Sequence, residues 1–280
     1  MSKVVIILKE VFSNLTLIWT VARYNNKAAF QGHYFGLAWE ILNPMIQIAL
    51  NWFVFSTIRN RTPLYFGRGE GVIVPFLAWM LVGMSAWLFM NRTTLSASTS
   101  VQNKIKLVSK MQFPISVLPA MDIAGKITAY FITLGIVIII LLFNGIMPTI
   151  FWIQAIYYVL AMFAFVYFLG LLTSTITILF KDFQQILAPI VRLLFWFSGV
   201  VWNLQEMVIP RGPLPPWVVR ATDLNPFSYV ITGFRNSFLS GYFFWEHWET
   251  TIFFWLLVLV IALIGSHLHL KLRNKFIDMA

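Results

Sequence analysis

The sequence predicts an all-α membrane protein with six transmembrane helices, an amphipathic helix at its N-terminus and short external helices before the last span. Two observations lead to this fold class. Apolar residues make up 59% of the 280 residues and charged residues only 11%, far from the composition of a soluble domain. Several apolar stretches also reach the roughly 20 residues that a helix needs to cross a bilayer.

Charge and cysteine content exclude several classes of function. The chain has 20 Lys and Arg against 10 Asp and Glu, which favours anionic lipid headgroups or anionic substrates as partners. No compact basic domain or nucleic-acid motif accompanies this charge, so nucleic acid is not an expected partner. The absence of cysteine excludes disulfides and thiolate metal sites.

The N-terminal segment 1–33 is predicted to be an amphipathic helix lying in the membrane interface. Apolar residues recur at helical spacing from Val4 to Trp19, while the first apolar run is too short for a signal peptide. Arg23 and Lys27 follow four residues apart and share a helix face if the helix continues that far. The pair could hold a lipid phosphate, or it could simply anchor the chain to anionic headgroups.

The remaining segments follow from the alternation of apolar and polar stretches. Five spans are predicted within 34–203, at residues 34–58, 72–90, 114–143, 149–180 and 180–203, and the sixth at 251–270. A polar loop at about 92–113 separates spans two and three, with a short helix within 96–111. Segment 204–250 is too polar to cross and suits short external helices or re-entrant pieces, and 271–280 is a basic tail.

The distribution of Lys and Arg predicts the orientation in the membrane. Twelve lie in the segments on the N-terminal side of the membrane, six on the other side and two within spans. Because cytoplasmic segments carry the excess of positive charge, both termini are expected in the cytoplasm.

Span one carries a polar stripe. Glu40, Asn43, Gln47 and Asn51 are spaced by three, four and four residues, which places them on one helix face, and Trp52 follows directly. Such a stripe marks either a water-accessible path or hydrogen bonds between helices. We interpret these five residues as candidates for a substrate path.

Span five carries a second polar face, formed by Gln185, Arg192, Trp196 and Asn203. A buried charge is costly in a membrane, so Arg192 needs an anionic partner or a water-filled cavity. The alternative is structural: Arg192 pairs with a carboxylate of a neighbouring helix or extends to the interface. In span three, Asp122 and Lys126 are four apart, the spacing of a same-helix ion pair.

Motifs for chemistry are scarce. The glycine-rich run 67–71 lacks the Lys-Ser/Thr of a phosphate-binding loop, so energy for active transport would come from another subunit. His247 and Glu249 could form an acid/base pair, but nothing else in the sequence converges on them. A membrane enzyme acting on lipid-linked sugars is therefore the weaker alternative. We find no internal repeat, so a symmetric path would require a second copy of the chain.

Several short motifs resemble those of ABC-superfamily permeases that export polysaccharides. They are GLAWEILNP at 36–44, FKD at 180–182, and LNPF at 224–227 with Tyr229 and Arg235. The stretch VSKMQFPISVLP at 108–119 is most similar to the wall teichoic acid (TagG/TarG) branch of these permeases. The order and spacing of the motifs cover nearly the whole chain.

The resemblance implies a type-2 ABC exporter permease in a bacterial plasma membrane. Such a permease is a homodimer docked on two copies of a nucleotide-binding ATPase subunit (TagH/TarH-like), which binds ATP and Mg, while the permease itself holds no cofactor. Spans one and five of both protomers would line the route of a polyprenyl-pyrophosphate-linked teichoic acid, or alternatively of O-antigen or capsule. The residues expected to couple to the ATPase are Lys104, Lys106, Lys110, Lys181 and Asp182.

Overall fold

In the computed structural model, helices make up most of the described chain, which comprises residues 2–29, 34–58, 64–66, 72–108, 114–202, 217, 222, 224–239, 241–273 and 276. The α-helices are α1 (Lys3–Ser13), α2 (Leu15–Ala29), α3 (Trp39–Ile58), α4 (Phe76–Ser98), α5 (Ser100–Val108), α6 (Val117–Phe143), α7 (Ala155–Leu179), α8 (Phe183–Phe197), α9 (Pro226–Phe238) and α10 (Trp248–Leu272). Short 3₁₀ helices at Gly36–Ala38 and Ile150–Gln154 precede α3 and α7.

One small sheet departs from the all-helical prediction. Strands β1 (Leu64–Phe66) and β2 (Val72–Val74) pair antiparallel, with Leu64 opposite Val74. Both strands consist mainly of β-branched and aromatic residues, which suit a strand better than a helix. As a result α4 begins at Phe76, after Pro75, rather than at residue 72.

The described helices differ in their capacity to cross a bilayer. Three stretches of this part of the chain are long and apolar enough: α6, Ile150–Leu179 and α10; the bent pair α1–α2 would make a fourth. Helices α3, α4 and α8 coincide with predicted spans one, two and five. Each of them is either shorter or less apolar than the three stretches above. Helix α8 has 15 residues and is therefore only about 22 Å long. Six spans remain a prediction.

Helix α4 is the central element of the bundle. Every residue from Ala78 to Met90 is buried, against α3, α6, α7, α8 and α9. The helix continues two turns beyond the predicted end of span two, into what was expected to be a loop. Its small polar residues can stay inside because they bond to their own helix: the Thr93 hydroxyl donates to the Phe89 carbonyl at 2.6 Å.

The N-terminal segment forms two helices rather than the single one predicted. Helices α1 and α2 meet at an angle of 63°. The break lies at Asn14, whose side-chain amide donates to the Glu10 carbonyl at 2.7 Å and so satisfies a carbonyl of the last turn of α1. Ile7 and Ile18 are buried, whereas Phe12 is 65% exposed, so both helices are amphipathic.

Helix α1 and the end of α10 meet at one end of the bundle, which we call the basal end. Its apolar cluster joins Ile18 of α2, Val101 of α5, Val117 of α6, Ile178 of α7 and, beyond α10, Phe276. Lys3 Nζ lies 3.0 Å from His267 Nδ1, and Arg273 pairs with Glu10 at 3.1 Å. These contacts hold α1 and the end of α10 together.

Helix α9 lies inside the bundle, within the segment 204–250 that was predicted to form short external helices or re-entrant pieces. Its residues Phe227, Val230, Ile231 and Phe234 are buried against α4 and α7. Asn225 caps the helix, since its side-chain oxygen accepts from the Phe227 amide at 3.0 Å. The same side chain donates to the Ser198 hydroxyl at 2.8 Å, which ties the start of α9 to the end of α8.

Arg235 of α9 binds the end of α8 from inside the protein. The residue is 3% exposed, and its guanidinium donates to the carbonyls of Trp79, Gly199 and Val200 at 3.3, 2.8 and 2.6 Å. The guanidinium carbon also lies 3.3 Å from the centroid of the Trp79 ring, a cation–π contact. The Gly199 backbone has a φ of 63°, which turns the chain so that successive carbonyls face Arg235.

Gly83 of α4 provides the space for this guanidinium. A Cβ at Gly83 would overlap Arg235 Nη2 and lie 2.9 Å from its central carbon. We therefore expect Gly83→Ala to lower the free energy of unfolding by roughly 2–3 kcal/mol, the cost of overpacking a filled core. The measurement is the apparent melting temperature of the purified protein in detergent.

The matched control is Gly135→Ala in α6, where a Cβ would meet nothing within 4 Å. Alanine is the better helix former by about 1 kcal/mol, so this variant should be neutral or more stable. Equal melting temperatures for the two variants would contradict the role assigned to Gly83.

Candidate functional site

The predicted polar residues of α3 separate into two groups in the structure. Glu40 and Asn43 line a cavity of about 590 Å³ between α3, α4, α6 and α8, which we call the inner cavity. Gln47 and Trp52 are exposed on the outside of α3, and the side-chain amide of Asn51 donates to the Gln47 carbonyl at 2.7 Å. Only the first half of the stripe therefore lines the inner cavity.

The inner cavity collects charged and polar side chains from four helices. Arg92 and Ser96 come from α4, Lys126 and Tyr130 from α6, and Gln184 from the first turn of α8; the remaining polar lining residues are Ser85, Thr99 and Thr133. Among the described lining residues, Glu40 is the only carboxylate and faces two cations. The cavity is thus net positive.

Two residues of the inner cavity, Arg92 and Lys126, were not predicted from the sequence to belong to a site. Arg92 falls in what was predicted to be the loop after span two, because α4 was expected to end at Met90. Lys126 was expected to form an ion pair with Asp122 of the same helix, but Asp122 forms its ion pair with Lys104 of α5. Both are charged residues next to long apolar runs, the same signal that drew attention to Arg192.

A second cavity of about 710 Å³ lies between α2, α3 and α6, and we call it the α2 cavity. Arg23 and Lys27 both line it, as the four-residue spacing predicted, together with Trp19 and Asn26. Asn26 donates a hydrogen bond to the Gly125 carbonyl, which fixes α2 against α6. Glu40 also lines this cavity, so one carboxylate lies between two pairs of cations.

The predicted path residues of α8 lie on its outer surface. Gln185 and Arg192 are exposed, and within the described residues the guanidinium of Arg192 has no ion-pair partner. Trp196 is 45% exposed, and its ring lies 6.3 Å from that of Phe55 of α3. Asn203 lies outside the described residues. Helices α3 and α8 are therefore neighbours on one side of α4, and we call their outer surface the α3–α8 face.

The α3–α8 face is apolar around its polar residues. Its large exposed side chains are Leu42, Ile46, Leu50, Phe53 and Val54 of α3, and Ile186, Ile190, Leu193 and Phe197 of α8. A purely lipid-facing surface would not include Arg192 and Gln185. A surface that joins another protein and borders a polar path accounts for both kinds of residue.

The residues expected to couple to an ATPase lie near the basal end where they are described. Lys181 and Asp182 form the exposed turn between α7 and α8. Lys104 is bound to Asp122, and both side chains are 20% exposed, so Lys104 serves to position α5 on α6. The side chain of Lys106 and the whole of Lys110 lie outside the described residues.

His247 and Glu249, the residues considered for an enzyme, do not form a site. Both are exposed at the start of α10, where the His247 ring lies 4.9 Å from that of Tyr242. Neither residue is among those that line the two cavities. This arrangement gives the acid/base pair no enclosed place to act on a substrate.

Comparison with known proteins is consistent with this architecture. The O-antigen export system permease protein RfbA of Klebsiella pneumoniae is 18% identical over 265 residues, which cover 94% of each chain. The protein of the same name from Myxococcus xanthus is 20% identical over 203 residues, 72% of this chain and 74% of that one. Residues 16–239, from the first turn of α2 to the end of α9, match the ABC-2 type transporter family. The chain belongs to the ABC-2 type transporter family, as its membrane-embedded permease subunit.

Proposed function

We propose that two copies of this chain form the membrane passage of an exporter for lipid-linked polysaccharide, driven by ATP hydrolysis in a separate subunit. The observation that carries the proposal is the α3–α8 face. Its exposed apolar residues need lipid or another protein chain against them, while Arg192, Gln185 and Gln47 need water or a polar cargo. A second copy related by twofold symmetry would satisfy both requirements, since the same face serves both partners.

The basal end supports docking of the ATPase on this side of the membrane. Helix α5, the turn Lys181–Asp182, α1 and the end of α10 all lie there. ABC-2 permeases work with a nucleotide-binding ATPase partner, and this chain lacks a phosphate-binding loop of its own. We infer that the basal end faces the cytoplasm of a bacterial plasma membrane, as the excess of Lys and Arg on that side indicates.

The cargo is a polysaccharide on a lipid carrier in this proposal. Relatives named as O-antigen export permeases support lipid-linked polysaccharide in general. Wall teichoic acid as the particular polymer rests on the motif at 108–119 and on the cations of the two cavities. The arginines and tryptophans near the route suit such a cargo, because Arg binds phosphate in a bidentate manner and aromatic rings pack on sugar faces.

The dimer predicts contacts along α8. The chain has no natural cysteine, so single cysteines can be introduced without background. We expect at least one of Ile186→Cys, Ile190→Cys, Leu193→Cys and Phe197→Cys to give a covalent dimer with a short bis-maleimide in membranes. Leu256→Cys, Leu259→Cys and Leu263→Cys, equally exposed on α10, are the controls. Crosslinks from α10 without any from α8 would refute this interface.

Arg192 should contribute to transport rather than to assembly. In Arg192→Gln we expect export to fall about tenfold, the loss of one hydrogen bond to a charged group, with dimerisation and ATPase docking unchanged. Translocation of labelled polymer into proteoliposomes measures the effect. Glu249→Gln, which removes an exposed charge at the start of α10, away from the basal end, is the control. Export equal to the control would remove Arg192 from the route.

The ATPase activity of the reconstituted complex should identify the cargo. We expect lipid-linked polymers to stimulate it, and an anionic polyol-phosphate polymer to do so at lower concentration than a neutral polysaccharide on the same carrier, because the cavities are net positive. The reverse order would favour an O-antigen or capsule as the natural cargo. No stimulation by either polymer, in a complex that hydrolyses ATP, would contradict polysaccharide export.

A further inference from the structure

The inner cavity contains hydrogen-bond donors that have no partner. Within the described residues, no hydrogen bond or ion pair engages Asn43, Arg92, Lys126 or Gln184. The hydroxyl of Tyr130 is buried without a partner, and the residue as a whole is 4% exposed. Of the five, Tyr130 is buried, Arg92, Lys126 and Gln184 are half-buried and Asn43 is exposed, so a ligand in the cavity would meet donors that no described group of the chain engages.

The hydroxyl groups of the cavity are used differently. Ser85 donates to the Val82 carbonyl at 2.8 Å, Thr133 to the Ala129 carbonyl at 2.8 Å and Thr99 to the Ser96 carbonyl at 3.2 Å. These donors are already satisfied by their own helices. What remains free in the cavity is a guanidinium, an ammonium, two amides and a phenol, all of which can donate.

This donor set selects a ligand with several acceptor oxygens and a negative charge. A neutral sugar would leave one cation in excess, because Glu40 offers a single carboxylate to Arg92 and Lys126. A phosphate ester supplies the missing charge and three or four acceptor oxygens, and the planar guanidinium of Arg matches two of them. The volume of about 590 Å³ is in the range of sites for small molecules.

We propose that the inner cavity is a phosphate-binding site within each protomer, with Arg92 and Lys126 as the anion-binding residues and Tyr130 as a neutral donor. Glu40 is the internal anion that partly compensates the two cations when the site is empty. The site is separate from the α3–α8 face, where Arg192 lies. The proposal rests on the proposed function, since it assigns phosphate chemistry to the cargo of the same permease.

Two sources of phosphate share this chemistry: the phosphates of the lipid carrier and those of a polyol-phosphate chain. Purified permease–ATPase complex in phosphatidylcholine nanodiscs allows the sources to be separated. One arm titrates soluble glycerol phosphate, and the other uses nanodiscs that contain a polyprenyl phosphate. Binding in the first arm identifies the polymer as the source, and binding in the second alone identifies the lipid carrier.

The variants should change affinity in opposite directions. Arg92→Gln and Lys126→Gln should each weaken binding about tenfold, because each removes a charge-assisted contact, and Tyr130→Phe should weaken it about fivefold. Glu40→Gln should strengthen binding, because it removes the competing carboxylate. Glu249→Gln, at the exposed start of α10, should leave affinity unchanged. Tyr130→Phe and Glu40→Gln keep the shape of their residues, so they decide the outcome if the arginine or lysine variant does not fold.

The phosphate site and the proposed export function can be refuted independently. Lack of binding in both arms, or an affinity that Glu40→Gln leaves unchanged or lowers, would overturn the phosphate site even if polymer export proceeds. Phosphate binding with the expected order of variants, in a complex that exports no polysaccharide, would support the site and refute the proposed transport function.

Discussion

The structure depends on one buried cation that has carbonyl oxygens for partners. Arg235 of α9 connects three helices, because its guanidinium reaches α4 at Trp79 and the chain after α8 at Gly199 and Val200. No ion pair with a described carboxylate offsets its burial. The carbonyls and the Trp79 ring do so instead, which is only possible when all three helices are in place. The end of α8 is thereby fixed relative to the centre of the bundle.

Much of the fold follows from hydrophobic pattern, because long apolar runs determine where helices form. The positions of α3, α6, α7 and α10 follow from the sequence in this way. The length of α4 does not, because its C-terminal turns are polar in composition yet buried, with hydroxyls bonded to their own backbone. The burial of α9 could not be predicted from the hydrophobic pattern either. Arg235 and Asn236 are polar residues typical of a surface helix, and both are buried in the structure.

The candidate site shows the same limit in its charges. Periodicity places Glu40 and Asn43 on one face of α3, and both line the inner cavity. It cannot show that Arg92 and Lys126 come from other helices to meet them, since partners across helices are set by packing. Lys104 shows the opposite case. From the sequence it is a lysine of a polar loop with no evident partner, but in the structure it forms an ion pair with Asp122 of α6. Charges in a membrane protein therefore acquire a role only when the neighbouring helices are placed.

The meeting of α1 and the end of α10 at the basal end has a practical consequence for protein engineering. Lys3 contacts His267, and Glu10 pairs with Arg273, so a linker could join the start of α1 to the end of α10. The turn after α6, from Asn144 to Thr149, is exposed at the opposite end of the bundle. A circular permutant opened there would carry its new ends, and any reporter fused to them, at the end of the bundle opposite the basal end, without interrupting a helix.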